Sequence, residues 1–167
     1  MIAYKLLREG RVGPFSGVRW PPPGEWLQAD DVEACRSGLH ACSVDDLPLW
    51  LGLGELWEVE LEDAVAEERK LVARRARLLR RIEEWDERAG RAFVAACADE
   101  ARRRGQETPA LAGYARDISE EHEPPAMAGY VVARLAELQE GPNGYDAERR
   151  RQADWLAARL GLARVSA

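Results

Sequence analysis

The sequence predicts an α+β fold, with a small mixed or antiparallel sheet over residues 1–82 packed on a C-terminal bundle of about four helices over residues 83–167, together one compact domain. Three observations carry this. Glu55 to Glu62 alternates acidic and apolar side chains, the period of a strand with one packed face. From Glu83 onward the apolar residues recur at helical spacing. The glycines and proline of Arg11 to Gly17 and the run Pro21-Pro22-Pro23-Gly24 interrupt the first half with loops, leaving room there for short strands.

Taken in order, Ile2 to Arg8 is a short apolar run bounded by Glu9-Gly10 and reads as a buried strand. Arg11 to Gly17 is a loop, and Val18 to Trp20 a short strand. Pro21-Pro22-Pro23-Gly24 ends regular structure, because successive prolines remove donors and favour extended backbone. Trp26 and Leu27 then turn the loop back on the core. Leu39 to Cys42 reads as a brief strand, followed by a short helix from Asp46 to Leu51 capped by Ser43 or Asp45/Asp46, with Pro48 in its first turn.

Lys70 to Ile82 fits either a helix or a strand; strand is favoured because the clear helical signal begins only afterwards. An arginine-rich strand there would lie beside the acidic one, with Arg74, Arg75, Arg77, Arg80 and Arg81 paired to Glu58, Glu60 and Glu62 rather than gripping a phosphate. The first long helix carries Ile82, Trp85, Ala89, Phe93 and Cys97 on one face, acidic residues at its start and Arg102–Arg104 at its end, the order its dipole favours. Thr108 caps the next helix, with Leu111, Tyr114 and Ile118 inward. A third follows Pro124-Pro125 with Met127, Tyr130, Val131, Leu135 and Leu138 inward. The last runs from about Tyr145 to Leu160 and ends in a Schellman turn at Gly161-Leu162. The arginine triplets Arg102–Arg104 and Arg149–Arg151 read as solvated helix faces.

Composition narrows the function. Net charge is −6, and residues 1–82 hold 12 basic and 14 acidic side chains against 12 and 16 in residues 83–167, so neither half is a polybasic arm. This argues against nucleic acid and anionic membrane as partners. No apolar run is long enough to span a bilayer. Nothing at the start reads as a signal peptide and the cysteine count is odd, so a reducing cytoplasm with free thiols is the expectation. Lys5 and Lys70 are the only lysines, and 22 of the 24 basic residues are arginine. In an Ala- and Arg-rich chain the two lysines therefore carry more information than the arginines.

The most particular stretch is Cys35-Arg36-Ser37-Gly38-Leu39-His40-Ala41-Cys42. Cys35, His40 and Cys42 are residue types that zinc accepts, and strand alternation would put His40 and Cys42 on one side. The spacing matches no common zinc pattern, and the alternative is that Cys42 packs as a small hydrophobe while His40 bonds a neighbouring backbone group. Trp20 and Trp26, either side of the prolines, would line a groove for a ligand or cover an open sheet edge. No phosphate-cradling glycine loop, nucleophile elbow or metalloprotease motif is present.

Ala3-Tyr4-Lys5, the Cys35–Cys42 stretch, Trp57-Glu58-Val59-Glu60-Leu61 and Lys70-Leu71-Val72-Ala73 together resemble an uncharacterised bacterial and phage domain family, over residues 2–82. In other members that block precedes pentapeptide-type repeats, which this chain lacks, and the family brings no assigned activity. A looser resemblance is to ADP-ribosyltransferase-like folds, through Tyr4 or Arg8 on the first strand, Gly38-Leu39-His40 on another, and Glu58 or Glu60 on a third. That resemblance implies an NAD-dependent transferase in which the glutamate would stabilise an oxocarbenium-like state; the tyrosine pair of such folds is absent here.

The first expectation for function is thus a cytoplasmic binding or interaction module with no cofactor. Its groove would lie between the Pro/Trp loop and the strand around His40, using Tyr4, Arg8, Trp20, Trp26 and His40 to hold a protein or small molecule. The alternatives are the transferase built on His40 and Glu58 or Glu60, and a small domain stabilised by zinc through Cys35, His40 and Cys42.

Overall fold

The computed structural model describes residues 1–30, 38–115, 118 and 124–164. The chain runs β1 (Ile2–Leu7), β2 (Trp26–Gln28), β3 (Leu39–Ala41), α1 (Leu47–Trp50), β4 (Glu55–Glu67), β5 (Lys70–Arg81), α2 (Glu87–Glu107), a 3-10 turn (Pro109–Leu111), α3 (Ala112–Ala115), α4 (Pro125–Glu140) and α5 (Pro142–Leu160). All named strand pairs are antiparallel, and the ambiguous stretch after Glu67 is a strand.

β4 and β5 form a long hairpin, with β1 on the free edge of β4 and both β2 and β3 along the free edge of β5. The sheet does not stay open. Cys42, just past β3, exchanges two 2.9 Å backbone hydrogen bonds with Tyr4 on the outer edge of β1. The strands therefore run round as a ring, β1–β4–β5–β3, which hides edges that would otherwise be free. Asp63 of β4, at φ 52, sits in the left-handed region, and the β4–β5 register shifts between Glu58 and Val59.

Two apolar cores result. One lies on one face of the strands: Ala3, Leu7, Trp20, Leu39, Ala41, Trp57, Val59, Leu61, Ala73, Ala76 and Leu78. The other joins the strands to the helices, running from Tyr4, Cys42, Leu47 and Leu56 through Ile82, Trp85 and Phe93 to Val132, Leu156 and Leu162. Leu56 and Glu58 share a face of β4 because they alternate; Leu56 meets the helices, and Glu58, Glu60 and Glu62 lie beyond it. There they pair with Arg80, Arg77 and Arg75 at 2.9, 2.6 and 2.6 Å.

Several helical expectations need correction. α2 starts at Glu87 rather than at Ile82–Glu83, because the Ile82 amide still bonds Leu56 and Asp86 is the cap, its carboxylate accepting from the Ala89 amide. Thr108 makes no side-chain cap; its hydroxyl accepts from Gln139 of α4 instead. Tyr114 is exposed, as are Met127, Tyr130 and Leu138. α4 buries its small residues, Ala128, Gly129, Val132, Ala133 and Ala136, and with them Leu135. A Cβ at Gly129 would lie 2.9 Å from the Gln152 amide oxygen, and one at Gly144 2.4 Å from the Ala136 carbonyl, so α4 and α5 approach closely only because these positions are glycine. Arg104 and Arg149 are buried, not solvated. The last helix ends as expected, with Gly161 left-handed and Leu162 bonded back to Ala157.

Candidate functional site

Among the described residues, the ring of strands is closed at its seam by one residue pair, Tyr4 and Cys42. On the outer edge of β1, Tyr4 bonds Cys42 and Arg8 bonds Val12. Antiparallel alternation turns the amide and carbonyl of Leu6, between them, toward the same edge, where no described residue pairs with them. β1 and β3 part here, and a cleft of about 540 Å³ opens. That is within the usual range for small-molecule sites. One wall is Tyr4 to Leu6, another Gly38 to Cys42. Pro14, Phe15, Ser16, Val18 and Trp20 of the loop form the third, with Trp50 and Lys70 at the remaining side.

The loop is held there by charge and backbone. Arg8 donates to the Pro14 carbonyl at 2.7 Å, and Arg11 to the Trp20 carbonyl at 3.3 Å. The Glu55 carboxylate accepts from the amides of Gly10 and Arg11 and from the Trp57 indole. A carboxylate receiving two adjacent amides fixes a tight turn, here with Gly10 and Arg11 both at positive φ.

The chemistry of the cleft is cationic and incompletely satisfied. Lys5 has no hydrogen-bond or ion-pair partner among the described residues; its ammonium lies 5.8 Å from the centre of the Trp20 ring. Burial pushes its pKa down to about 8. His40 has a buried Nε2 with no hydrogen-bond partner among the described residues. Burial lowers its pKa, and Lys70 and Lys5 add to this, against an opposing pull from Glu67. Lys70 is ion-paired to Glu67 at 3.7 Å. Cys42 donates its S–H to the Tyr4 carbonyl at 3.5 Å, and burial pushes its pKa up to about 12, so it is a thiol and not a nucleophile.

The other residues singled out by the sequence separate. Tyr4 lines the cleft, but its ring is buried and its hydroxyl is engaged by the backbone of Ala163, accepting from the amide at 3.0 Å and donating to the carbonyl at 3.1 Å. Arg8 positions the loop and lines no part of the cleft. Trp20 belongs to it; Trp26 does not, being on β2 between the guanidinium groups of Arg75 and Arg77, each 4.6 Å from its ring. Glu58 and Glu60 are held by Arg80 and Arg77 and are not brought to His40 in the cleft. Cys35 lies outside the described residues. Among those described, no group of three or more His, Cys, Asp or Glu side chains could hold a metal ion. Lys5 and Lys70 were not expected as site residues, although their rarity in an arginine-rich chain was the signal that could have found them.

Compared with protein-family models, curated proteins and solved structures, the chain matches none. Among the described residues no helix is long and apolar enough to cross a membrane.

Proposed function

We propose that this protein is a binding module that seats a small molecule in the cleft at the β1–β3 seam. One observation carries the reading. A cleft of ligand size, walled by Leu6, Phe15, Val18, Trp20 and Leu39, contains an ammonium and an imidazole nitrogen with no described partner. Buried polar groups are ordinarily satisfied within the fold, and those left open in a concave apolar site are the groups a ligand satisfies. Trp20 supplies an aromatic wall, and the loop anchored by Glu55 and Arg8 makes the wall rigid. A reducing cytoplasm is the compartment that suits Cys42 and Cys97, both buried free thiols.

The reading is tested by thermal unfolding of the wild type and of Val18→Trp against a diverse small-molecule library. Val18 is an exposed lining residue, so replacing it removes nothing from either core while an indole there takes up cleft space. Compounds that bind the folded state raise the midpoint of the wild type and lose that effect in the filled variant. If no compound raises the wild-type midpoint, or if the shifts survive filling, the cleft is not a ligand site.

A further inference from the structure

We propose that the ligand of this cleft is an organic anion, a carboxylate or phosphate carried on an apolar body, with Lys5 and His40 holding the anionic group and Trp20 packing the body. This rests on the cleft being a ligand site and narrows the class of ligand.

The argument begins with what lines the cleft. The chain carries 30 acidic residues and a net charge of −6, yet none of the described lining residues is acidic. They include instead both lysines and His40, drawn from three different strands: Lys5 on β1, His40 on β3 and Lys70 at the start of β5. Elsewhere in the fold basic groups on the strands meet carboxylates, as Arg75, Arg77 and Arg80 do. In the cleft, the charged or titratable groups among the described residues that act on Lys5 and His40 are Lys70, Cys42 and Glu67 besides each other, and Cys42 is a neutral thiol. Glu67 is within 3.7 Å of Lys70 and so serves that lysine, leaving Lys5 uncompensated. An ammonium kept out of water without a counter-charge is costly, and an incoming anion removes the cost. His40 adds an orphaned nitrogen that can donate once protonated, and an adjacent anion favours its protonation.

The anion also carries a pH signature. Lys5 loses its proton near pH 8 in the free protein, and a bound anion restores it, so binding above that pH takes up a proton and weakens as pH rises.

The experiment uses three probes of one shape: phenyl phosphate, benzoate and neutral benzyl alcohol. Binding is followed by calorimetry with the full chain, wild type and Lys5→Met, at about pH 6.5 and about pH 9.5. Because the chain has two lysines, lysine labelled with carbon-13 at Cε reports both by two resonances, and Lys5→Met assigns them. The expected result is that both anions bind the wild type about tenfold or more tightly than benzyl alcohol at the lower pH, as a charge-assisted contact should. The preference falls at the higher pH and in Lys5→Met, and the Lys5 resonance titrates at higher pH when phenyl phosphate is bound. Phosphate and carboxylate are separated by which of the two probes binds more tightly. Equal binding of all three probes to the wild type overturns the anion inference and leaves the ligand cleft standing. A preference that survives both Lys5→Met and high pH likewise overturns it. If none of the three binds, the anion inference falls, and with the library experiment also blank the cleft reading falls too. Should Lys5→Met not fold, the wild-type pH comparison decides alone.

Discussion

The helical part and the cleft both bury charge, and they treat it in opposite ways. Between α2, α4 and α5, Glu148 is buried and receives two hydrogen bonds from Arg151 and one from Gln152, with Arg104 3.8 Å away. Arg104 itself reaches Glu100 and Glu140 at 2.8 and 2.7 Å, and Gln152 donates onward to the Gly129 carbonyl. At the β1–β3 seam, Lys5 and the Nε2 of His40 have no such partners among the described residues. Burial is common to both regions, and counter-charge separates them: Arg104 Nε also lacks a well-aligned hydrogen bond, yet it lies 2.8 Å from the Glu100 carboxylate, whereas no described carboxylate pairs with Lys5. A charge-compensated network fixes how helices pack; an ammonium without a described counter-charge, beside an imidazole nitrogen without a described partner, is the feature on which the proposed ligand reading rests.

The largest effect should come from breaking the charge-compensated network. Glu148→Ala leaves Arg151, Arg104 and Gln152 facing an uncharged methyl in a buried site, and is expected to destabilise by about 3–5 kcal/mol in denaturant unfolding. A loss below about 1 kcal/mol would show that the helical cluster is not held by its charges.

Lys5→Met is expected to act in the other direction, stabilising the ligand-free protein by about 1–3 kcal/mol near neutral pH. The folded protein holds the Lys5 pKa near 8, below the ordinary value of 10.5. Below pH 8 both folded and unfolded chains carry the charge, and the full burial penalty is felt. Between the two values the unfolded chain binds more protons, so wild-type stability rises with pH and the advantage of Lys5→Met shrinks away. Unfolding curves of both proteins across this range check it; a destabilised variant, or a gap constant with pH, would break the contrast.

The smallest effect belongs to the sheet surface. Glu60→Gln removes one member of a half-exposed pair with Arg77 and should cost less than about 1 kcal/mol, fading further in high salt. A larger loss would mean that the acidic and basic strands depend on their ladder rather than on the cores beneath.

What the sequence disclosed follows the range of each interaction. β4 was legible because alternation is local: Trp57, Val59 and Leu61 face one core and Glu58, Glu60 and Glu62 their arginines. The end of α5 was legible because a glycine and a leucine make a Schellman turn by themselves. α4 was misread because its buried face is built from Ala128, Gly129, Ala133 and Ala136, whose burial depends on how near α2 and α5 come and not on their own hydrophobicity. Arg104 and Arg149 were misread for a related reason, since part of what surrounds them comes from α4: Gln139 and Glu140 for Arg104, and the Tyr130 ring for Arg149. In the site, Trp20 and His40 stood out by type, whereas Lys5 was placed there by a pairing between residues 4 and 42 that no periodicity announces.

The Tyr4 hydroxyl and the backbone of Ala163 are 159 positions apart in sequence. Since Tyr4 lines the cleft, one of its walls is buttressed from behind by the segment that follows α5. Contacts of such separation are the slow ones in folding, because closing the longest loop comes before any reward for it. The buttress behind Tyr4 is thus expected to form after the local pairing of β4 with β5.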